Sequence, residues 1–480
     1  MSDHKLSPSL APASMLVVLA IALHAIVMYT ASLELHYEEA QYWLWSTRPD
    51  WSYYSKGPLV AWLIAVATAA LGQGEAQVRL FAWLTHGLFL VAVYGFARDL
   101  WGRRDAARWA VMLAAPAPVY FLLGGVMTTD VFLFLFWTLA LWAAYRALVW
   151  QRPRAWYAMG GAVGVGALGK LSIGLLPVTT AVVMLLRAPW RRHYLTRPPW
   201  LAALLALLLM APMVGWNAAH DWVMVRHESG HVAGGGFDGL GLAEFIAGQF
   251  IALSPLLLAT MLAVLWRPAA PPGPRLVWLV SVGVLAFFVV KAMMGKVQPN
   301  WPAVAYIGGV VLLAGEAVRR GPRFRAWLGV VMAAAVLQSL AILYLPLTGA
   351  FEGRDPLKAL RGWQAPIDAL AGHAAGVDFI LTRNYHLASR LAFYLPRGLP
   401  VYLGGDGGRR HNQFDLWPGP ARHRGGTALY VVDEQRLPAA VRDAFAGCTP
   451  LPTLPAGDPR LFPWRCHGFE GETWAPPSGY

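Results

Sequence analysis

The sequence predicts a polytopic α-helical membrane protein with a small C-terminal α/β domain. Hydrophobic residues make up 57% of the 480 residues and charged residues only 14%, whereas soluble domains carry roughly 25% charged residues. This number of charged residues is too small to cover the water-facing surface of a soluble protein of this length. Long apolar stretches recur up to residue 347, and we therefore predict a membrane domain at 1–347 and an α/β domain at 348–480.

The apolar stretches are long enough, at about 20 residues, to cross the hydrocarbon core. The first lacks a small-residue cleavage site, so we expect it to be retained as a helix. Residues 156–187 are too many for one span, and we predict a tight helix pair that turns near residues 169–171. Hydropathy then indicates about eleven crossings. The other predicted spans are 10–33, 80–97, 107–125, 131–150, 200–216, 245–266, 277–294, 302–318 and 327–347.

Basic residues alternate between the loops and predict the orientation. The net charge is +13, but the arginines lie in short runs between apolar stretches, which is typical of a membrane protein and not of a nucleic-acid-binding face. Loops rich in lysine and arginine face the cytoplasm. We therefore predict a cytoplasmic N-terminus and a tail outside the cytoplasm. The basic loops are those near 98–108, 146–154, 187–197, 267–275 and 319–325.

The tail after residue 347 has the short mixed patterns of a small α/β domain. We predict strands at 377–381, 400–403 and 428–432, and a helix at Tyr385–Tyr394. Cys448 and Cys466, the two cysteines of the chain, would lie in an oxidising compartment. They either form a disulfide or stay as two thiols. Two cysteines exclude a disulfide-rich scaffold, a cysteine-rich zinc site and an iron–sulfur cluster.

The first outer loop, residues 36–58, carries the most informative polar residues of the chain. Glu38 and Glu39 follow the first span. Lys56 precedes a short apolar stretch, Leu59–Leu71, that we expect to lie along the membrane interface. A carboxylate can deprotonate an acceptor hydroxyl, and a lysine can hold a phosphate. The alternative is a set of solvated loop charges.

Asp130 and Lys170 are two further charged residues at the edges of apolar stretches. Asp130 is either the N-cap of its helix or a functional acid that faces the same pocket as the first loop. Lys170 lies at the turn of the predicted tight helix pair, on the sparsely basic side. It either extends along the membrane interface or contacts a phosphate.

His220, His227 and His231 could share one helical face and bind zinc. The neighbouring glycines favour a mobile loop instead, and no second shell of ligands is visible. No cofactor is predicted with certainty, and a divalent cation is a further candidate. The glycines of the segment 160–169 lie inside a span with no preceding strand, which indicates close helix packing and not a nucleotide cradle.

These motifs, in this order, resemble the polyprenyl-phosphate-sugar glycosyltransferases of the GT-C fold, the superfamily of protein O-mannosyltransferases and aminoarabinose-lipid A transferases. The family carries an acidic pair in the first outer loop, usually Asp-Glu, where this chain has Glu38 and Glu39. It often has Lys-Pro-Pro-Leu before the interfacial helix, where this chain has Lys56-Gly57-Pro58-Leu59. Further similar segments are QVRLFAW, TTDVFLFLFW, His220-Asp221-Trp222, GQFIALSP, KVQPNWPAVAY and NYHLASRLAFYLP.

The resemblance implies an inverting sugar transfer from a polyprenyl-phosphate carrier to an acceptor hydroxyl on the outer face of the bacterial inner membrane. The acceptor would be lipid A, another lipid, a glycan or a protein. Glu38 would be the base, oriented by Glu39, with Asp130 as a further acid. Lys56 would hold the donor phosphate, with Arg79 and Lys170 as weaker candidates. The residues expected to line the donor and acceptor pocket are Tyr53, Tyr54, His220 and Asn300.

The sequence also allows two other classes of protein to be considered, a transporter or lipid scramblase and a membrane-anchored binding domain. A transporter or lipid scramblase would show internal repeats and broken spans at matching positions of two halves, and the sequence shows no such symmetry. A binding domain with a passive anchor needs one or two spans, not about eleven.

Overall fold

A computed structural model describes residues 10–232, 237–270, 272–349, 357–395, 398–404, 411–452 and 460–471. The chain forms two compact units. The second unit comprises Gly349–Tyr480 together with Met28–Val78 and Asn217–Gly230. Met28–Val78 is tied to the tail by hydrogen bonds, as from the Glu34 amide to the Leu360 carbonyl (2.8 Å), and Asn217–Gly230 is joined to Met28–Val78 by the Lys56–Glu228 ion pair. The first unit comprises Met1–Val27, Arg79–Trp216 and His231–Thr348.

Helices make up most of the described chain, and five short strands lie near its C-terminal end. The helices are α1 Leu10–Thr30, α2 Tyr37–Ser46, α3 Leu59–Leu71, α4 Glu75–Trp101, α5 Arg104–Ala114, α6 Pro118–Gly124, α7 Thr129–Leu148, α8 Pro153–Gly169, α9 Leu175–Leu186, α10 Ala188–Arg191, α11 Arg197–Ala219, α12 Val223–Val232, α13 Gly239–Leu253, α14 Pro255–Leu265, α15 Gly273–Ala292, α16 Ala303–Arg319, α17 Pro322–Tyr344, α18 Gln364–Leu370, α19 Tyr385–Tyr394 and α20 Ala439–Arg442. The strands are β1 Phe379–Thr382, β2 Val401–Leu403, β3 Ala428–Val432, β4 Phe445–Pro450 and β5 Phe462–Phe469.

The polytopic helical architecture predicted from the sequence is confirmed. Within the described residues, five single helices (α4, α7, α11, α15 and α17) are long and apolar enough to cross a membrane. The total is up to eight if each of three bent helix pairs is one span. The bends are large, 71° between α5 and α6 and 106° between α13 and α14. The predicted helix pair at 156–187 turns where expected, because α8 ends at Gly169 and a 3₁₀ turn follows at Leu171–Gly174.

The core of the first unit is built around α7 and α16, whose side chains are mostly buried. Buried polar groups between its helices are hydrogen-bonded, as buried polar groups must be. Tyr120 donates to the Ala303 carbonyl (2.7 Å), and Tyr306 donates to Gln249 (2.8 Å). The predicted close packing of the glycine-rich helix α8 is confirmed. A Cβ added to Gly160 would lie 2.3 Å from the carbonyl oxygen of Ala202 on α11.

The second unit contains a five-stranded mixed sheet in the order β2-β1-β3-β5-β4. β1 is parallel to β2 and β3, and β5 is antiparallel to β3 and β4. Alternate side chains supply two apolar layers. Ile380 and Leu429 pack in one layer with α18 and α19, and Phe379 and Tyr430 pack in the other.

The sequence predictions for this unit are confirmed for some elements and incomplete for others. β3 and α19 have the predicted bounds, and β1 and β2 shift by one or two residues. β4 and β5 were not predicted, because their glycine, proline and charged residues interrupt the alternation of apolar side chains. The first outer loop also contains a helix, α2, that the sequence analysis missed, followed by α3 over the predicted interfacial stretch.

Candidate active site

The first acidic residues of the predicted site lie in the first turn of α2. His36 is the N-cap, and its Nδ1 accepts the Glu38 amide (3.3 Å). The Glu39 carboxylate accepts the His36 amide in return (2.9 Å). This reciprocal capping box satisfies backbone donors that the helix itself leaves without partners. The box uses Glu39, whose side chain is fully buried, whereas Glu38 is half-buried.

The tail helix α19 packs against α2 within the second unit. The Tyr37 and His386 rings lie 3.9 Å apart, and Trp43 meets Phe393 edge to face at 5.0 Å. Edge-to-face pairs add stability beyond the area that they bury. The segment NYHLASRLAFYLP therefore supports the acidic helix. Pro396 of this segment lies outside the described residues.

Tyr394 connects α19 to the segments on either side of α2 and α3. Its hydroxyl accepts the Leu35 amide (2.9 Å) and donates to the Glu75 carboxylate. Burial raises the pKa of Tyr394, and the Glu75 charge raises it further. The hydroxyl therefore stays protonated and remains a hydrogen-bond donor at neutral pH.

Arg390, also on α19, is fully buried beside the capped end of α2. Its guanidinium lies 3.8 Å from the centre of the Trp363 ring and 5.6 Å from that of Tyr37. It donates to the Ala359 carbonyl (2.5 Å). Burial lowers the pKa of Arg390 to about 10, while negative groups that include Glu39 oppose this shift. Arg390 therefore remains a cation at neutral pH and interacts favourably with Glu34 and Glu39.

Lys56 is ion-paired with a glutamate that the sequence analysis did not assign to it. Its Nζ lies 2.6 Å from Glu228 on α12. The two side chains are 22% and 33% exposed, so the pair is accessible from solvent and is not sealed in a core. An ammonium has three donors, which leaves capacity for a phosphate beside the carboxylate.

In the first unit, the structure brings together two predicted site residues, Asp130 and Lys170. The Lys170 ammonium contacts both carboxylate oxygens of Asp130, at 2.9 and 3.0 Å. Both side chains are largely buried. The N-cap interpretation of Asp130 is wrong, because the N-cap of α7 is Thr128 and Asp130 lies in the first helical turn. Arg79, on α4 of the same unit, is fully buried.

Two tyrosines predicted to line the pocket are held by the second unit. Tyr53 is fully buried and stacks on Trp45 at 4.6 Å. Its hydroxyl donates to the Trp45 and Arg48 carbonyls (3.1 and 3.2 Å), and burial raises its pKa to about 12. The Tyr54 amide donates to Gln413 (2.7 Å), and its side chain is also buried. Both rings therefore contribute to packing around the loop.

The remaining predicted residues lie in turns or on α12. His220 is half-buried in the turn before α12, and Asn300 is half-buried in the turn before α16. The His227 ring packs 5.3 Å from Tyr54, and the side chain of His231 lies outside the described residues. No group of three or more histidine, cysteine or acidic residues that could hold a metal occurs in the described part of the chain.

Cys448 and Cys466 face one another across β4 and β5, and their sulfur atoms are bonded. The register of the two strands brings their Cα atoms to 4.0 Å. The disulfide joins the two strands that the sequence analysis did not predict.

Comparison with known proteins identifies the class of enzyme. The sequence model of the dolichyl-phosphate-mannose-protein mannosyltransferase family matches residues 55–216. The lipid A galacturonosyltransferase RgtD of Rhizobium johnstonii is 29% identical over 412 residues, which cover 80% of this chain and 85% of RgtD. Undecaprenyl phosphate-alpha-4-amino-4-deoxy-L-arabinose arabinosyl transferase 1 of Pseudomonas fluorescens is 31% identical over 136 residues, 27% of this chain and 25% of that protein.

Two crystal structures have a similar fold. ArnT from Cupriavidus metallidurans in the apo state has a TM-score of 0.66 at 17% identity and covers 95% of this chain and 98% of its own. The same protein bound to undecaprenyl phosphate has the same TM-score and identity, with 94% and 97% covered. This chain is a glycosyltransferase with the fold of these structures. The resemblance predicted from the acidic pair and the following motifs is therefore confirmed, and the transporter alternative gains no support.

The structure shows two groups of charged residues in this glycosyltransferase. The capped acidic pair and the Lys56–Glu228 ion pair belong to the second unit, and the Asp130–Lys170 pair belongs to the first. The sequence analysis missed the contributions of Arg390 and Tyr394. Both residues lie in the segment NYHLASRLAFYLP. Arg390 stands among apolar residues of this segment, and a charged residue in such a place is rarely buried without partners. That pattern could have indicated its role.

Proposed function

We propose that this glycosyltransferase moves a sugar from a polyprenyl-phosphate carrier to a hydroxyl of lipid A on the outer face of the inner membrane. The names of RgtD and of the arabinosyl transferase both support this proposal, because the first acts on lipid A and the second takes an undecaprenyl phosphate-linked sugar. Galacturonic acid and 4-amino-4-deoxy-L-arabinose are accordingly the first donor sugars to test.

The observation that carries the catalytic assignment is the unequal use of the two adjacent glutamates. The Glu39 carboxylate caps α2 and is fully buried. Glu38, one residue earlier, is half-buried in the same helical turn. A general base must reach the proton that it removes. Glu38 is therefore the base that takes the proton of the acceptor hydroxyl, and Glu39 fixes the helix that carries it.

Lys56 holds the phosphate of the donor in this proposal. Its ion pair with Glu228 keeps the ammonium in place before the donor arrives. The phosphate then binds the same ammonium beside the glutamate, because the ammonium has three donors and can contact both anions. The Asp130–Lys170 pair and the buried Arg79 serve as further candidates for contacts with the donor.

The reaction proceeds by direct displacement. The acceptor oxygen attacks the anomeric carbon while its proton passes to Glu38, and the bond from that carbon to the phosphate oxygen breaks. Polyprenyl phosphate leaves with the bonding electron pair, and the anomeric centre inverts. The cation of Lys56 stabilises the negative charge that develops on the leaving phosphate.

The proposed topology has eleven crossings, with the N-terminus in the cytoplasm and the α/β domain in the periplasm. The five single spans and three bent pairs supply eight crossings. The helices α1, α8 and α16, with 21, 17 and 17 residues, supply the other three. The alternation of basic loops supports this orientation.

The proposal is tested with purified protein in lipid nanodiscs that contain lipid A. Undecaprenyl phosphate carrying either sugar is added, and mass spectrometry follows lipid A and released undecaprenyl phosphate. We expect one of the donors to yield modified lipid A and an equal amount of free carrier. A matched reaction with the same sugar 1-phosphate, which lacks the polyprenyl chain, should give no product. Movement of the donor between leaflets without any product from lipid A or another hydroxyl would contradict the proposal.

A further inference from the structure

A large groove opens between α7 and α8 in the first unit, and the described residues that line it include none of those assigned above to catalysis or donor binding. Its cavity has a volume of about 970 Å³. Phe136, Leu139 and Ala143 line one wall at helical spacing, and the small residues Ala158 and Gly161 line the other. The small side chains of α8 create the space, because a Cβ at Gly161 would meet nothing within 4 Å.

One end of this groove is basic. Arg146, Arg152 and Arg154 line it, and no acidic residue is among the described residues that line the cavity. The Arg146 guanidinium is fixed by Asp99, to which its Nε donates at 2.7 Å. Arg152 lies 4.9 Å from the centre of the Trp150 ring. A guanidinium can stack on an aromatic face and bind a phosphate through its planar set of donors.

The dimensions of the groove fit one lipid leaflet. Phe136 and Arg146 are ten residues apart on α7, which corresponds to about 15 Å along a helix. Half of the hydrocarbon core of a bilayer is also about 15 Å. The apolar wall therefore matches the length of one acyl chain, and the arginines lie where a headgroup phosphate would be.

We propose that this groove binds an anionic phospholipid of the bilayer, with one acyl chain between α7 and α8 and its phosphate against Arg152 and Arg154. The loop that carries these arginines belongs to the set predicted to face the cytoplasm, where anionic headgroups attract clustered basic residues. A free phosphate would leave the apolar wall uncovered, and the long chain of a polyprenyl carrier exceeds the length of the groove.

Binding is measured on delipidated protein in detergent by native mass spectrometry and by the shift of the unfolding temperature. The probes are phosphatidylglycerol, phosphatidylcholine and diacylglycerol of equal chain length. A ligand that binds the folded state alone raises the unfolding temperature. We expect phosphatidylglycerol to bind with a stoichiometry of one and to stabilise the protein, with at least tenfold weaker binding of the other two. Equal binding of phosphatidylcholine would overturn the proposal.

Two pairs of variants test the place of binding. Arg152→Gln with Arg154→Gln should weaken phosphatidylglycerol binding on the order of 10- to 30-fold, from about 1 kcal/mol per basic residue at a membrane surface. Arg323→Gln with Arg325→Gln removes the same charge from exposed arginines of another basic loop and should change nothing. An equal loss in this control would overturn the proposal.

The acyl-chain contact is tested by filling the groove. Gly161→Leu should abolish phosphatidylglycerol binding, whereas Gly329→Leu, at another helical glycine with open space, should retain it. If Gly161→Leu lowers the unfolding temperature without lipid, the variant is destabilised and its loss of lipid is not used. The Arg152→Gln, Arg154→Gln variant then decides whether the groove is the binding site. Displacement of phosphatidylglycerol from the wild type by undecaprenyl phosphate at equal concentration, together with loss of undecaprenyl phosphate binding in the Gly161→Leu variant, would assign the groove to the carrier and refute the proposal.

Discussion

Arg390 is expected to stabilise the acidic helix from the tail of the chain. It is 1% exposed and stacks on Trp363. Arg390→Met keeps an unbranched apolar side chain in the same space and removes the charge. The variant therefore removes a buried cation that stacks on Trp363 and interacts electrostatically with Glu34 and Glu39.

The magnitude follows from the contacts of the buried guanidinium. Loss of its desolvated stacking on Trp363 costs about 2 kcal/mol, and loss of its charged hydrogen bond to the Ala359 carbonyl costs about 1.5–3 kcal/mol. Each 1.4 kcal/mol changes an equilibrium constant about tenfold, so the population of locally open α2 should rise by at least ~100-fold. A displacement of about 1 Å at a catalytic group can cost ~100-fold in rate, so sugar transfer should fall by a similar factor.

Hydrogen–deuterium exchange of α2 and α19 measures the local opening, and a transfer assay measures the rate. Arg383→Gln is the matched control, because Arg383 forms an exposed ion pair with Glu434 in the same unit. Exposed pairs contribute about 0–1 kcal/mol, so this control should behave as the wild type. Unchanged exchange of α2 and unchanged transfer in Arg390→Met would refute the role assigned to the tail.

Three other variants test the remaining charge pairs and the sheet. Lys56→Ala should raise the donor KM about 10- to 100-fold, whereas Glu228→Gln should lower it. Steady-state kinetics against donor concentration measures both values. If the pair is only structural, the two variants would change the donor KM in the same direction. Asp130→Asn should destabilise the protein by about 3–5 kcal/mol, and the double variant with Lys170→Met should recover part of this loss in thermal unfolding. Cys466→Ser opens a disulfide that closes 18 residues and should cost about 3 kcal/mol; equal gel mobility of the wild type with and without reductant would contradict this.

Apolar length and periodicity allowed much of the fold to be predicted. α3 and α19 match their predicted ranges because each is a continuous apolar or amphipathic run with clear ends. α2 was missed because its N-cap is His36, which is outside the usual Ser, Thr, Asp and Asn. A local rule for caps therefore failed at the site that carries the acidic pair.

The site was predictable in its residue types and less so in its partners. Lys56 and Asp130 were selected because charges beside apolar stretches are costly without a task or a partner. Glu228, the partner of Lys56, lies 172 residues away along the chain. Only the folded chain brings such residues together, and no local spacing in the sequence indicates this pair.

The division of roles between Glu38 and Glu39 is the central claim, and single-turnover transfer by Glu38→Gln and Glu39→Gln tests it most directly. General bases typically contribute 10²–10⁴-fold, so Glu38→Gln should lower the rate by about that factor while hydrogen–deuterium exchange of α2 stays as in the wild type. Glu39→Gln should leave the exchange of α2 nearly unchanged, because the glutamine oxygen can still accept the His36 amide, and should lower the rate less. Transfer at the wild-type rate by Glu38→Gln, together with an inactive Glu39→Gln that keeps its α2 protection, would contradict the account.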